Sequence, residues 1–161
     1  MRILGIDPGV ARLGWGVVDV EKGKLRVVDY DCFETKSSEA MPTRLKKIYA
    51  ALFEILNTLK PDALAVEELF FNTNAKTALI VGQARGIVLL AGAEHNLTVQ
   101  SYTPLQVKMT LTGYGRAEKS QIGIMVKTLL GLKSVPTPDD TADALAVAIT
   151  HALSYKMNQQ L

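Results

Sequence analysis

Four carboxylates in this sequence have the residue type and placement for metal-phosphate chemistry: Asp7, Glu67, Asp140 and Asp143. Asp7 closes the run Ile3-Leu4-Gly5-Ile6 and is followed by Pro8-Gly9, and Glu67 closes Ala63-Leu64-Ala65-Val66 in the same way. An apolar run halted by an acid is how a buried strand presents a carboxylate at its tip. Two such acids brought together offer hard oxygen ligands for a divalent cation. Asp140 and Asp143 are three apart, so on a helix they project from one side of the first turn. Each has a plainer reading. Asp-Pro-Gly is common turn chemistry, Glu67 beside Glu68 could be a solvated strand end, and Asp139 or Asp140 could cap a helix and favour its dipole. Glu67 is preferred to Glu68, which is expected to face away, because it ends the apolar run directly. Asp143 stands among Ala and Leu; a buried carboxylate needs a partner, and the nearby sequence offers no base.

The elements that must position these acids can be read from periodicity. Along the first strand Ile3, Gly5 and Asp7 share one side and Leu4 and Ile6 the other, and Gly5 lets a backbone or ligand approach closely. Residues 13–20 read as a strand, a tight turn at 21–23 leads into a third strand running to about 34, and loops this short imply an antiparallel meander. From 44 to 59 the apolar residues Leu45, Ile48, Leu52, Ile55, Leu56 and Leu59 mark one face of a helix that Pro61 ends. The strand 63–67 then follows a crossover, so it should run parallel to a neighbour. Beside the first strand, it would bring Asp7 and Glu67 together. Residues 74–94 form a helix apolar nearly all round, which asks for burial on both sides; a second subunit is the expected cover, with Gly82 and Gly86 allowing close approach, and the later helices are the alternative. A fifth strand at 97–102 follows, then a short helix at 104–112 opened by Thr103 and Pro104, a break at 112–116, a helix at 117–130, and a last helix from 139.

The 161 residues suit one domain, 1–161, with 48% hydrophobic and 21% charged residues as in ordinary globular chains. The longest apolar run, 86–93, is too short for a bilayer, and no leader precedes the first strand, so no membrane partner and a cytoplasmic location are expected. Cys32, His95 and His151 give neither a disulfide nor zinc-site spacing. With a net charge of only +2, a nucleic-acid partner would need a local basic patch. Lys108, Arg116, Lys119, Lys127 and Lys133 flank the break, with Glu118 the one acid among them. They read equally as a phosphate-contacting surface or a solvated helix face.

Further motifs are Glu67-Glu68-Leu69-Phe70, Gly82-Gln83-Ala84-Arg85-Gly86, Gln106-Val107-Lys108, Ala117-Glu118-Lys119-Ser120 and Ala148-Ile149-Thr150-His151. With Gly5-Ile6-Asp7-Pro8-Gly9 and the final Asp-x-x-Asp-Ala-Leu-Ala, the sequence resembles the RNase H-like nucleases and, within them, the RuvC family of bacterial Holliday-junction resolvases. The likeness covers nearly the whole chain. It implies an α/β RNase H-like fold whose five-stranded mixed sheet, three antiparallel strands then two parallel, is flanked by helices. It also implies that Asp7, Glu67, Asp140 and Asp143 are the catalytic and metal-binding acids. By the same resemblance Lys108 and Lys119 contact DNA near the site and Phe70 inserts against unstacked bases; Arg116 is assigned to DNA from the basic stretch alone. From the residues alone, Phe70 and Phe71 could equally be core.

The implied activity is resolution of four-way junction DNA in recombination and repair, by paired symmetric nicks leaving 5′-phosphate and 3′-hydroxyl ends. A homodimer with one site per subunit would match the two-fold junction, and the RuvA-RuvB branch-migration complex is an implied partner. Like charges about 4 Å apart repel by roughly 4 kcal/mol at an effective dielectric near 20, so clustered acids call for a cation. Mg²⁺, with Mn²⁺ able to substitute, suits oxygen ligands, and two ions per site suit phosphodiester cleavage, with Asp7 bridging, Glu67 serving one ion and Asp143 and Asp140 the other. Three rival readings are an RNase H-type nuclease acting on RNA–DNA hybrids, a non-catalytic junction-binding module, and an actin-like sugar kinase. The last needs a second lobe, for which this chain has no room.

Overall fold

The first strand is buried on both of its faces from Ile3 to Ile6, so it needs a packed layer on each side. In the computed structural model, which describes residues 1–68 and 75–158, β1 (Arg2–Asp7) is the centre of one five-stranded sheet ordered β3-β2-β1-β4-β5. β2 (Arg12–Glu21) and β3 (Lys24–Glu34) continue the antiparallel meander, while β4 (Ala63–Glu67) and β5 (Thr98–Tyr102) run parallel to β1. The crossover inference is correct: Ile6 of β1 pairs with Val66 of β4, so Asp7 and Glu67 follow at matching strand ends.

Leu4, Ile6, Leu13, Val17, Leu64 and Val66 face one layer, made by α1 (Met41–Leu59) and α2 (Ala75–Glu94). Ile3, Val18 and Ala65 face the other, made by α3 (Pro104–Thr112), α4 (Lys119–Leu130) and α5 (Asp139–Asn158). α1 begins three residues earlier than its apolar spacing indicates, because Pro42 fits the first helical turn where no amide partner is needed. Lys60 then ends it in the left-handed conformation, one residue before Pro61. α4 begins two residues later than expected. Glu118 is its N-cap, with its amide donating to Gln121 Oε1 at 2.8 Å, and Ala117 is buried ahead of the helix.

Among the described residues, α2 is not covered all round. Ala84, Val88 and Ala91 pack on the sheet, whereas Leu79, Gln83, Gly86 and Leu90 form an exposed stripe at helical spacing, with Leu79 72% and Leu90 50% accessible. Lys76–Glu94 has the length and hydropathy of a bilayer span, although its longest unbroken apolar run is short. One face of it packs on the sheet, and Arg85 donates from the helix to Ser101 Oγ of β5 at 2.7 Å.

Candidate active site

Three glycines on β1 and β2 set where α5 can lie. Gly5 pairs with Gly16 across the two strands, and Gly14 pairs with Asp7. A Cβ on Gly5 would stand 2.1 Å from the Ala144 carbonyl oxygen, on Gly14 2.0 Å from that of Asp140, and on Gly16 2.5 Å from a Leu145 methyl. The sheet is thus cut away along the line of the helix. Small residues on α5 complete the fit, with Ala144, Ala146 and Ala148 fully buried. Backbone approach, one of the two uses open for Gly5, is the one realised. This seating carries the first turn of α5, and with it Asp140 and Asp143, to the ends of β1 and β4.

Asp7 is close enough to the other three acids to feel their charge. Burial pushes Asp7 well above the usual carboxylate range, and the charges of Glu67, Asp143 and Asp140 push it the same way. Asp7 also shares a hydrogen bond with Glu67. Two carboxylates can share one only if the pair holds a proton between them. Glu67 is also raised, by burial and then by Asp143. Asp143 is raised by burial against the opposing pull of Lys119.

Lys119 is the base missing from the sequence around Asp143. Its Nζ comes from the first turn of α4 to 2.8 Å from Asp143 Oδ2 and 3.5 Å from Asp139 Oδ2. Arg12, at the start of β2, lies 3.8 Å from Asp140 Oδ2 and 3.2 Å from Glu34 Oε1. Sequence reasoning passed over Arg12, whose only signal was its position just after the Pro8-Gly9 loop. Cys32, next across the sheet from Gly14, has its thiol pushed up to about 11 by burial and then by Asp140, so it stays protonated beside the acids.

Glu67 separates two cavities. One of about 330 Å³ is bounded by Asp7, Gly9, Glu67, Glu68, Val81 and Asp140. The other, about 220 Å³, is bounded by Glu67, Val107, Lys108, Lys119, Ile122 and Asp143. Glu68, expected to face away, stands exposed on the rim of the first. Lys108 and Lys119 are brought to the acids, whereas Arg116, exposed before α4, half-buried Lys127 in the last turn of α4 and exposed Lys133 beyond it line neither cavity. Phe70 and Phe71 lie outside the described residues. A larger cavity of about 990 Å³ opens near Met1, Gln100, His151 and Tyr155 and contains a single carboxylate, Asp62, which accepts the Arg2 amide at 2.6 Å.

As donors, the acids fit a hard divalent cation: carboxylate oxygens only, mutually repelling and partly desolvated. Lys119 and Arg12 partly balance their charge. As these side chains stand, no three His, Cys, Asp or Glu among the described residues already converge as a metal cage.

A mixed sheet in this order, with acids at the ends of its first and fourth strands and on the last helix, defines an RNase H-like enzyme. The family model for crossover junction endodeoxyribonuclease RuvC matches residues 3–151. The crossover junction endodeoxyribonuclease RuvC of Alkaliphilus oremlandii is 59% identical over 152 residues, covering 94% of this chain and 93% of the relative. A structure of Thermus thermophilus RuvC superposes with a TM-score of 0.91 at 43% identity, covering 98% of this chain and 97% of that one. T. thermophilus RuvC in complex with Holliday junction substrate superposes at 0.93 with 42% identity, covering 98% and 96%. The chain belongs to the RuvC family of crossover junction endodeoxyribonucleases.

Proposed function

We propose that this chain resolves four-way DNA junctions by paired, symmetric hydrolytic nicks, with Asp7, Glu67, Asp140 and Asp143 as the catalytic acids. The observation that carries this reading is the gathering of the four carboxylates at one end of the sheet of a RuvC-family chain. Asp7 and Glu67 would hold Mg²⁺ from the strand ends, and Asp143 with Asp140 from α5; Mn²⁺ would substitute, and two ions per site match four ligands. Such ions supply Lewis acidity toward the scissile phosphate and a lowered pKa for water.

The protein's own groups do the rest. β1 and β4 fix the spacing of Asp7 and Glu67, and α5 fixes Asp143 and Asp140. Lys108 and Lys119 border the acids where a phosphodiester backbone would lie, and Arg116 extends the cationic surface. A wedge role for Phe70 rests on the resemblance alone. No covalent enzyme intermediate is needed, and the products carry 5′-phosphate and 3′-hydroxyl ends.

Two cuts in a two-fold junction call for two sites, and the exposed stripe of α2 around Leu79 and Leu90 supplies a self-complementary apolar face for a homodimer. One nuclease domain over 1–161, cytoplasmic location and cooperation with the RuvA-RuvB complex belong to the same reading. The test is cleavage of a synthetic four-way junction against linear duplex and RNA–DNA hybrid of related sequence, in Mg²⁺ and in chelator. Metal-dependent paired nicks confined to the junction are expected. Preferential cutting of the hybrid would move the function to RNA removal.

A further inference from the structure

We propose that Lys119 is an exchangeable counter-ion, neutralising Asp143 until a divalent cation takes that carboxylate and then passing its ammonium to a DNA phosphate. The inference rests on the proposed function and deepens it, because it makes one side chain the link between metal binding and substrate binding.

The geometry carries it. Nζ of Lys119 sits 2.8 Å from Asp143 Oδ2, on an oxygen that a Mg²⁺-sized ion would approach at about 2.0–2.1 Å. An ammonium and a divalent ion on the same oxygen repel each other, so one must leave. Lys119 can leave by swinging outward: its side chain is 57% exposed although that of Asp143 is only 22%, and its second partner, Asp139 Oδ2 at 3.5 Å, is exposed and holds it weakly. Its backbone need not move, since the start of α4 is held by the Glu118 amide bonding to Gln121. The space for the movement is the 220 Å³ cavity that Lys119 borders together with Lys108, Glu67 and Asp143. Released into it, the ammonium stands with Lys108 as a pair of point charges suited to a phosphodiester.

Two equilibria then become linked through one side chain, and linkage between binding equilibria is reciprocal. Metal should strengthen junction binding by freeing Lys119, and junction DNA should strengthen metal binding by holding Lys119 away from Asp143.

The test uses the full-length protein and Mn²⁺ alone as probe, followed by calorimetry or by loss of the free Mn²⁺ resonance. Lys119→Met should bind Mn²⁺ more tightly than wild type, by roughly three- to tenfold for loss of one neighbouring cation. Lys119→Arg, which keeps the charge, should retain wild-type affinity. Junction binding is then measured across salt concentrations in chelator and in Ca²⁺. On adding Ca²⁺ the wild-type salt slope should steepen by about one phosphate contact, and that of Lys119→Met should not. Unchanged or weaker Mn²⁺ binding by Lys119→Met, or slopes identical to wild type in both buffers, would overturn the exchange. Asp143→Asn separates the two levels. If it leaves Mn²⁺ affinity unaltered, the carboxylate-site reading fails and the exchange with it; if it lowers affinity while Lys119→Met does not raise it, the exchange alone fails.

Discussion

Gly14→Ala places a single methyl between the sheet and the helix that carries two of the four acids. The new Cβ would lie 2.0 Å from the Asp140 carbonyl oxygen and 3.0 Å from the Asp140 Cβ. Real Cβ contacts essentially never fall below 3.0 Å, so the first turn of α5 must withdraw by at least about 1 Å. The obstacle is helix backbone, not the end of a flexible side chain, so the strain cannot be relieved by a rotamer change. Overpacking of this kind costs about 1–3 kcal/mol. At about 2–4 °C per kcal/mol for a chain of this size, melting should fall by roughly 2–12 °C. The displacement matters more to chemistry than to folding, because a misplacement of about 1 Å can cost on the order of 10²-fold in rate. The assay is single-turnover cleavage of a four-way junction, beside junction binding and thermal melting. Near-normal binding, a modest fall in melting temperature and a roughly hundredfold slower cut are expected. A variant that cuts at the wild-type rate and melts normally would refute the claim that glycine clearance on β2 sets the position of Asp140.

Asp7→Asn should stabilise the protein in chelator at pH 8, by up to about 4 kcal/mol if one like-charge contact near 4 Å is relieved. The sign follows from the raised folded pKa of Asp7: the wild-type penalty is absent below the ordinary value of 3.8, grows as pH rises toward the folded pKa and persists above it. The melting difference between variant and wild type should therefore shrink on acidification, which melting curves between pH 4 and 8 would check. Leu79→Asp, at an exposed position of the α2 stripe, should yield monomers in sedimentation and lose paired cutting; a dimeric, active variant would remove α2 from the interface. Arg2 holds Asp19 through two 2.9 Å hydrogen bonds that lower the Asp19 pKa. The stability from that pair is present above about pH 4 and lost as pH falls through the lowered value, so Arg2→Met should cost roughly 1 kcal/mol at pH 7 and flatten the acid limb of the melting profile.

The parts of the site legible in the sequence were those written locally. β1 and β4 each end an apolar run in an acid, and the helix between them forces a crossover, so the meeting of Asp7 and Glu67 followed from chain order and alternation. The capped start of α3 was equally local, because Thr103, Pro104 and Gln106 are near neighbours. What escaped depends on packing between distant segments. Gly14 and Gly16 look like ordinary strand residues until α5 is laid across them. Lys119 reads as one cation in a basic stretch, and only the packing of α4 beside α5 makes it the partner of Asp143. Arg12 meets Asp140 for the same reason, since no sequence period connects β2 with the start of α5. Glu68 was set aside because Glu67 ends the apolar run directly, but it lies just past the end of β4 and borders the same cavity.

The central claim is that the clustered carboxylates cut the junction and are not needed to hold it. The most direct measurement compares binding and cleavage of one labelled four-way junction by wild type and Asp7→Asn, each in Mg²⁺ and in chelator. The account predicts that both proteins bind the junction, that wild type nicks opposite strands only in Mg²⁺, and that Asp7→Asn makes no cut in either buffer. Cleavage by Asp7→Asn near the wild-type rate, or cleavage by wild type in chelator, would contradict it.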